Sequence, residues 1–238
     1  MSTVFIDETI RSICNEINFQ GGSTKNWKLL TEEELLYEAV VCIFSSQMIF
    51  EVAVAIVDRL AELKYLRIQQ RFFDRNDYEA SILAALSNPI AIRNSDGKIR
   101  YVRPRFKNRL ASLLTKNMAE IHSHYGSLQQ LLSASKSSKE SRKSLIQLVH
   151  GFGPKQASLF LRRIGYCTDL AVLDTHVMDY LRLFHNCQMP TSKLGSLLFY
   201  EQIENQFRDI AIGFGHSIGC VDLATWITMR VAKREGYL

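Results

Sequence analysis

Residues 145–165 end one apolar helix and begin the next across a very short connection. The connection is Gly-Phe-Gly at 151–153, and Pro-Lys-Gln-Ala follows at 154–157. Both glycines can take positive φ, and backbone amides beside a helix N-terminus attract phosphate because the helix dipole is positive there. Pro154 suits the first helical position, where a missing N–H costs little. The segment fits a backbone clamp for phosphate, and it fits a plain turn between two packed helices equally well.

A carboxylate and an imidazole stand nineteen residues beyond the lysine of this segment. The run Ala-Val-Leu at 171–173 leads to Asp174, Thr175 and His176, and the lysine is Lys155. Asp174 also suits the N-cap of a helix that begins after it. An amine and a carboxylate at a fixed separation beside a phosphate clamp indicate chemistry rather than a plain turn.

The same residues carry a family resemblance. Gly-Phe-Gly-Pro-Lys-Gln-Ala-Ser at 151–158 with Asp-Thr-His at 174–176 resembles the helix-hairpin-helix GPD superfamily of DNA glycosylases, most closely the 8-oxoguanine DNA glycosylases. Arg-Phe-Lys-Asn-Arg-Leu-Ala at 105–111 and Asp-Leu-x-x-Trp at 222–226 are similar to the smaller type 2 branch. The resemblance covers about residues 31–230 and is strongest over 145–185.

This resemblance implies a fold and a pair of catalytic residues. The fold is all-α and two-lobed, with the active-site cleft between the lobes, and Lys155 is the nucleophile with Asp174 as its carboxylate partner. A neutral lysine amine can attack C1′ of the nucleotide, displace the base and form a Schiff base that permits β-elimination. Asp174 would stabilise the developing positive charge on the sugar. Because only the neutral amine attacks, we expect a partly desolvated pocket around Lys155.

The partner implied is double-stranded DNA with one modified base flipped out of the stack. The amides of Gly151, Gly153 and Gln156 would hold phosphate, and His176 would donate to another. Gln47, at the end of an apolar helix, would enter the gap that the base leaves. The ordinary alternative for Gln47 is a polar residue at a helix terminus. The ordinary alternative for His176 is a half-buried helix histidine.

The late motif supplies candidates for a base pocket, Trp226 as its wall and Asp222 as a buttress, although a tryptophan in an amphipathic helix is more often core. Arg105 belongs to a basic cluster interleaved with aromatic residues, which suits phosphate tracking and stacking. Its basic and aromatic members are Tyr101, Arg103, Arg105, Phe106, Lys107 and Arg109. A solvated helix face explains that cluster equally well.

No cofactor is required by this chemistry. Related enzymes hold a cation with carbonyls of the hairpin, which here would be those of Gln147, Val149 and Phe152. Such an ion would stiffen the phosphate clamp without taking part in the reaction.

The sequence also predicts how these residues are positioned. We expect an N-terminal helix and loop at 1–30, a helical lobe at 31–144, the helix-hairpin-helix at 145–185, and C-terminal helices at 186–238 that pack on the first lobe. A capping box of Thr31 and Glu34 opens a helix to about residue 46, and another follows over about 50–66. Asp96-Gly97 between two short apolar runs indicates one short β-hairpin or a long loop. The serine-rich stretch 133–144 reads as a loop that enters a helix.

Composition limits the remaining classes. Glycine and proline are scarce, at 12 and 4 of 238 residues, and apolar residues recur at helical spacing, which favours an all-α protein. The net charge of +5 is compatible with a polyanion. The five cysteines form no C-x-x-C pair, so neither an iron–sulfur cluster nor a disulfide framework is indicated. No segment reads as a signal peptide or membrane span, and we expect a cytoplasmic monomer.

Three functional readings follow from the sequence. The first is an 8-oxoguanine DNA glycosylase with apurinic/apyrimidinic lyase activity. The second keeps the chemistry but excises another base, such as a bulky modified cytosine in foreign (phage) DNA. The third is a non-catalytic helix-hairpin-helix DNA-binding module, which would need neither Lys155 nor Asp174. A helical protein-interaction scaffold would bind no DNA at all.

Overall fold

The computed structural model describes residues 3–19, 25–67, 74–93, 97–188 and 190–236. In this part of the chain the elements are, in order, α1 (Thr3–Phe19), α2 (Glu32–Phe44), α3 (Phe50–Glu62), α4 (Arg75–Ser87), β1 (Ile90–Arg93), β2 (Ile99–Val102), α5 (Lys107–Tyr125), α6 (Leu128–Ala134), α7 (Ser138–Leu148), α8 (Pro154–Arg163), α9 (Thr175–His185), α10 (Leu197–Phe214) and α11 (Ile218–Arg234). Short 3₁₀ turns occupy Trp27–Leu29 and Thr191–Gly195. The all-α prediction with one β-hairpin is confirmed.

The chain divides into two compact units. Unit 1 contains residues 1–27, 137–143 and 153–238, and unit 2 contains residues 28–136 and 144–152. This differs from the division that we expected, because residues 186–238 group with α1 and the second half of the hairpin. The reason is a shared core, in which Ile6 and Ile10 of α1 are buried together with Tyr180, Phe207 and Val221.

Local sequence chemistry explains the beginning of several helices. Thr31 Oγ1 accepts from the Glu34 amide at 3.3 Å, and Glu34 Oε2 accepts from the Thr31 amide at 2.7 Å, so the predicted capping box of α2 is confirmed. The helix ends at Phe44, slightly earlier than predicted. There the hydroxyls of Ser45 and Ser46 donate to carbonyls of the last turn, at 3.0 and 2.6 Å.

The serine-rich stretch 133–144 is more helical than predicted. The α6 helix continues to Ala134 and α7 already begins at Ser138, with the Ser137 hydroxyl accepting from the Glu140 amide at 3.2 Å. Burial of Ser141 and Arg142, both 0% exposed, accounts for this order. The α4 helix is also absent from the prediction, because charged residues fill its first turn and hide its apolar face. Asp74 caps it by accepting from two backbone amides at 2.7 and 3.1 Å.

The predicted hairpin is present in unit 2, with β1 antiparallel to β2 and Ile90 opposite Val102. Ile90 and Ile92 are buried, and β1 contacts α3. Residues 94–96, including part of the predicted Asp-Gly turn, lie outside the described residues, as does part of the loop predicted before residue 30.

Within the described ranges, no single helix is long and apolar enough to cross a membrane. Only α10 and α11 taken together, with a bend of 90° between them, pass that test of length and composition.

Candidate active site

The connection from α7 to α8 uses its two glycines differently. Gly151 has φ +92°, and a Cβ at this position would stand 3.2 Å from Ile43 Cγ2, so both conformation and space favour glycine. Gly153 instead is extended, with φ −106° and ψ −176°, which corrects the expectation that it takes positive φ. The reason is its place as the N-cap of α8, a position that adopts extended backbone. Pro154 takes the first turn as predicted.

The first turn of α8 therefore contains backbone amides, next to Gly153, that have no hydrogen-bond acceptor within the helix. The Ala157 amide donates to the Gly153 carbonyl at 3.0 Å, which closes the first turn of the helix. The amides that precede it have no carbonyl within the helix to bond, and together with the helix dipole they favour an anion. This arrangement is compatible with the phosphate clamp that the sequence predicts.

Lys155 and Asp174 line one pocket of unit 1. The pocket has a volume of about 270 Å³, and both side chains are half-buried. Its other lining residues are Gly153, Pro154, Gln156, Leu173, Thr175, Met178, Thr191, Leu194 and Gly195. An amine, a carboxylate and a helix N-terminus thus converge on one small cavity. The 3₁₀ turn Thr191–Gly195, which sequence analysis missed, supplies one wall.

Asp174 is the N-cap of α9, as predicted. Its Oδ1 accepts from the amides of His176 and Val177, both at 2.9 Å, and its own amide donates to the Val172 carbonyl at 2.8 Å. These bonds fix the orientation of the carboxylate without engaging a side-chain cation. The carboxylate is therefore held in a fixed orientation at the pocket.

The extended segment 171–173, which delivers Asp174, is held by side chains rather than by a neighbouring strand. The Ala171 amide donates to Glu204 Oε1 at 2.9 Å, the Val172 amide to Asp222 Oδ2 at 2.6 Å, and the Leu173 amide to the Tyr200 hydroxyl at 3.0 Å. Tyr200 in turn donates to the Ala171 carbonyl at 2.8 Å. Burial raises the pKa of Tyr200 above its usual value, so its hydroxyl retains the proton that this bond requires.

The first of two buried ion pairs connects this segment to the helix that carries Lys155. Arg142 of α7 donates to both oxygens of Glu204, at 2.6 and 2.9 Å, and to Ser158 of α8 at 3.2 Å. Arg142 and Glu204 are both fully buried. Removing one partner of such a pair leaves an uncompensated charge and is strongly destabilising.

The second pair joins Arg162, near the end of α8, to Asp222 of α11. Arg162 also donates to the Gly219 carbonyl at 3.3 Å. Burial lowers the pKa of Arg162, but Asp222 and, more weakly, Asp174 raise it, so the guanidinium stays charged beside the two carboxylates. Lys155 and Asp174 are thus carried by elements that two buried ion pairs tie together.

Asp222 does not belong to the pocket wall. It is 1% exposed, and its Oδ2 accepts from both Arg162 and the Val172 amide, so it supports the segment that ends at Asp174, while its role as a buttress of a base pocket stays a prediction. Trp226 does not line this pocket either. It lies edge-on to His176, with ring centroids 6.3 Å apart, and the Arg230 guanidinium stacks 4.9 Å from its ring centroid. The assignment of Trp226 to a base pocket stays a prediction.

The remaining predicted residues belong to unit 2. Gln47 follows α2, where its amide donates to the Phe44 carbonyl at 2.9 Å and its side chain donates to Ser46 at 3.2 Å. Arg105 is exposed just before α5. The carbonyls of Gln147, Val149 and Phe152 are near one another in sequence at the end of α7, and that of Val149 accepts from the Phe152 amide at 3.0 Å.

The comparisons with known proteins agree on one family. A family model described as 8-oxoguanine DNA glycosylase matches residues 82–216. The 8-oxoguanine DNA glycosylase/AP lyase of Metallosphaera sedula is 34% identical over 143 residues, which cover 58% of this chain and 68% of that relative. The enzyme of the same name from Thermoplasma volcanium is 32% identical over 132 residues, which cover 56% of this chain and 62% of the relative.

Solved structures agree in fold. The 8-oxoguanine DNA glycosylase of Methanocaldococcus jannaschii matches with a TM-score of 0.70 at 20% identity, covering 98% of this chain and 95% of that one. The glycosylase/lyase from the same organism, solved in complex with a 15mer DNA containing 8-oxoguanine, matches with a TM-score of 0.64, covering 98% and 90%. At this identity the likeness shows the fold.

Proposed function

The chain belongs to the 8-oxoguanine DNA glycosylase family, and on that premise we propose that it excises 8-oxoguanine from double-stranded DNA and nicks the strand as an apurinic/apyrimidinic lyase. The observation that carries this proposal is the pocket that Lys155 and Asp174 share. A passive DNA-binding module needs neither an amine nor a carboxylate beside its helix N-terminus. A DNA substrate also fits the cytoplasmic monomer expected from the sequence.

Lys155 is the nucleophile in this proposal. Its neutral amine attacks C1′ of the flipped nucleotide, forming a C–N bond as the bond from C1′ to the base breaks, and the base leaves with a proton. Ring opening then gives a Schiff base between lysine and sugar. Loss of a C2′ proton from that imine expels the 3′ phosphate by β-elimination and nicks the strand.

Asp174 provides fixed negative charge for this reaction. Positive charge develops on the sugar as the base departs, and a preoriented carboxylate stabilises it. The two amides that donate to Asp174 Oδ1 set this orientation before substrate arrives. Because the carboxylate is already oriented, its stabilisation of the positive charge is not reduced by a cost of reorientation during the reaction.

The DNA must be held and the base extruded, which costs a few kcal/mol. We assign the phosphate contacts to the amides of Gly151, Gly153 and Gln156, to His176 and to Arg105, and the gap left by the base to Gln47. The family resemblance and the chemistry of each group support these assignments.

The hairpin carbonyls suit a hard cation. Gln147, Val149 and Phe152 offer neutral oxygens of the kind that such ions prefer, and the Val149 carbonyl retains a second lone pair beside its bond to Phe152. A bound cation would supply positive charge that stiffens the clamp. The reaction itself would proceed with Lys155 and Asp174.

Borohydride trapping tests the proposal. Duplexes that carry 8-oxoguanine, a bulky modified cytosine or no lesion are incubated with the protein and with Lys155→Gln, and borohydride then reduces any Schiff base to a stable adduct. Lys139→Gln, which alters an exposed lysine of the same unit, is the matched control. We expect an adduct with 8-oxoguanine DNA for the natural protein and Lys139→Gln, and none for Lys155→Gln.

The other outcomes each overturn part of the proposal. Trapping only on modified cytosine keeps Lys155 as nucleophile and replaces the substrate. Release of base without an adduct means that water is the nucleophile. Binding of DNA with neither release nor trapping means a passive clamp.

A further inference from the structure

The stretch from Gly97 to Ala119 concentrates the positive charge of this protein. It contains seven Lys or Arg residues and no Asp or Glu, so it contributes +7 while the whole chain carries +5. Outside this stretch the chain is slightly acidic. Arg100, Arg103, Arg105 and Arg109 are exposed, and none has an ion pair with a described residue. Such a concentration favours a polyanionic partner over general solubility.

The same stretch exposes large apolar side chains. Ile99 is 57% exposed and Tyr101 71%, and both lie on one face of β2. The opposite face of the hairpin is buried through Ile90 and Ile92. The hairpin is therefore anchored on one side by the core of unit 2, while its other side shows aliphatic and aromatic surface to solvent. A hairpin packed only for stability has no need for those exposed side chains.

Phe106 adds a strained aromatic residue four positions after the end of β2. It is 59% exposed and adopts left-handed backbone with φ +59°, immediately before α5 and without a side-chain cap. A bulky residue in this conformation is strained, because its Cβ approaches the following carbonyl oxygen too closely. An exposed aromatic side chain at a strained position indicates a functional role for its placement.

We infer that this hairpin face, consisting of Ile99 and Tyr101 of β2 with Arg103, Arg105 and Phe106 that follow the strand, binds the backbone of a DNA duplex. The arginines contact phosphates, and Ile99 and Tyr101 pack against the sugars and groove edge. A two-stranded ribbon has the width that the major groove admits. The inference takes its partner, DNA, from the proposed function, but it needs none of the chemistry at Lys155.

Salt dependence of binding to an undamaged duplex tests this inference without any reaction. Affinity is measured between about 50 and 200 mM salt for the natural protein, for Arg103→Gln combined with Arg105→Gln, and for Tyr101→Ala. Each phosphate contact that is lost lowers the slope of log affinity against log salt by about 0.9. We expect the double variant to lose about 1.8 from the slope, and Tyr101→Ala to bind about tenfold more weakly with the slope retained.

Arg75→Gln is the control, since Arg75 is also an exposed arginine of unit 2 but stands between Asp74 and Asp77. Its slope should match that of the natural protein. Unchanged slope and affinity in the hairpin variants, with unaltered melting, would overturn the inference. So would binding to phosphatidylserine vesicles that depends on these residues while duplex binding does not. If trapping at Lys155 fails for every substrate, the duplex result still decides the role of the hairpin face.

Discussion

Asp222 and Arg162 form an ion pair directly beneath the segment that ends at Asp174. The same oxygen of Asp222 accepts from the guanidinium and from the Val172 amide. Arg162 belongs to the helix that begins beside Lys155, so a single carboxylate links the elements that carry both reacting groups. The position of the catalytic pair thus depends on residues that touch neither substrate nor pocket.

Asp222→Asn should show how much of the stability of this link depends on charge, because Asn has nearly the same shape as Asp. The amide can still accept from Val172, but Arg162 loses its counter-charge, so we expect the free energy of unfolding to fall by about 3 kcal/mol. Denaturant melts of both proteins measure this. A change within about 0.5 kcal/mol would show that solvent already compensates Arg162.

Tyr200→Phe should slow chemistry through the backbone of 171–173. The substitution leaves the Leu173 amide without its acceptor, which costs about 1–3 kcal/mol of stability and loosens the segment that holds Asp174. We expect the single-turnover rate of base release to fall about tenfold while duplex affinity is retained.

Tyr180→Phe is the matched control for this prediction. Tyr180 is equally buried in the same unit, but its hydroxyl donates to Asp7 at 2.7 Å, away from segment 171–173. Its removal should lower stability by a similar amount and leave the rate of base release intact. If both variants slow the reaction equally, Tyr200 has a general structural role and not a positioning one.

Two substitutions at Asp174 should distinguish its capping and catalytic roles. Asn caps helices about as well as Asp, so Asp174→Asn should keep the melting temperature nearly unchanged while abolishing base release. Asp174→Ala should abolish release and also cost about 1 kcal/mol of stability through the lost cap. Thermal melts and single-turnover assays together test this, and full activity in Asp174→Asn would exclude a charge role.

Acid should destabilise unit 2 through His122. Both ring nitrogens are shielded from solvent, and burial lowers the pKa of His122 below the usual 6.5. A lowered pKa means that the unfolded chain binds the proton more readily. Stability is therefore complete above about pH 6.5 and is lost as pH falls toward the folded-state pKa.

His122→Leu should remove this part of the acid sensitivity. The loss of melting temperature between pH 7.5 and 5.5 should be smaller than in the natural protein. His124→Gln, which alters an exposed histidine of the same helix, should leave the loss as it was. An identical pH profile for all three proteins would contradict the assignment.

Local chemistry made much of the site predictable. The capping box at Thr31, Pro154 in the first turn of α8 and the N-cap at Asp174 each depend on residues within four positions of one another, and each is confirmed. The β-hairpin followed from an Asp-Gly turn between apolar runs. For the same reason Lys155 and Asp174 were found by a motif that lies within two neighbouring elements.

The contacts that the sequence did not predict join residues that are far apart in the chain. Arg142 pairs with Glu204 across 62 positions and Arg162 with Asp222 across 60. Nothing in the serine-rich surroundings of Arg142 indicates that its side chain is buried. The grouping of α1 with the C-terminal helices likewise depends on a core assembled from both ends of the chain. Charged residues in otherwise apolar helices, such as Glu204 in α10, were the one available signal.

The most direct test of the central claim is to locate the trapped sugar within the protein. After borohydride reduction on 8-oxoguanine DNA, the adduct is digested with nuclease and protease, and the modified peptide is sequenced by mass spectrometry. We expect the deoxyribose remnant on the side-chain amine of Lys155. A remnant on another amine, such as Lys193 in the 3₁₀ turn at the pocket wall, would contradict it.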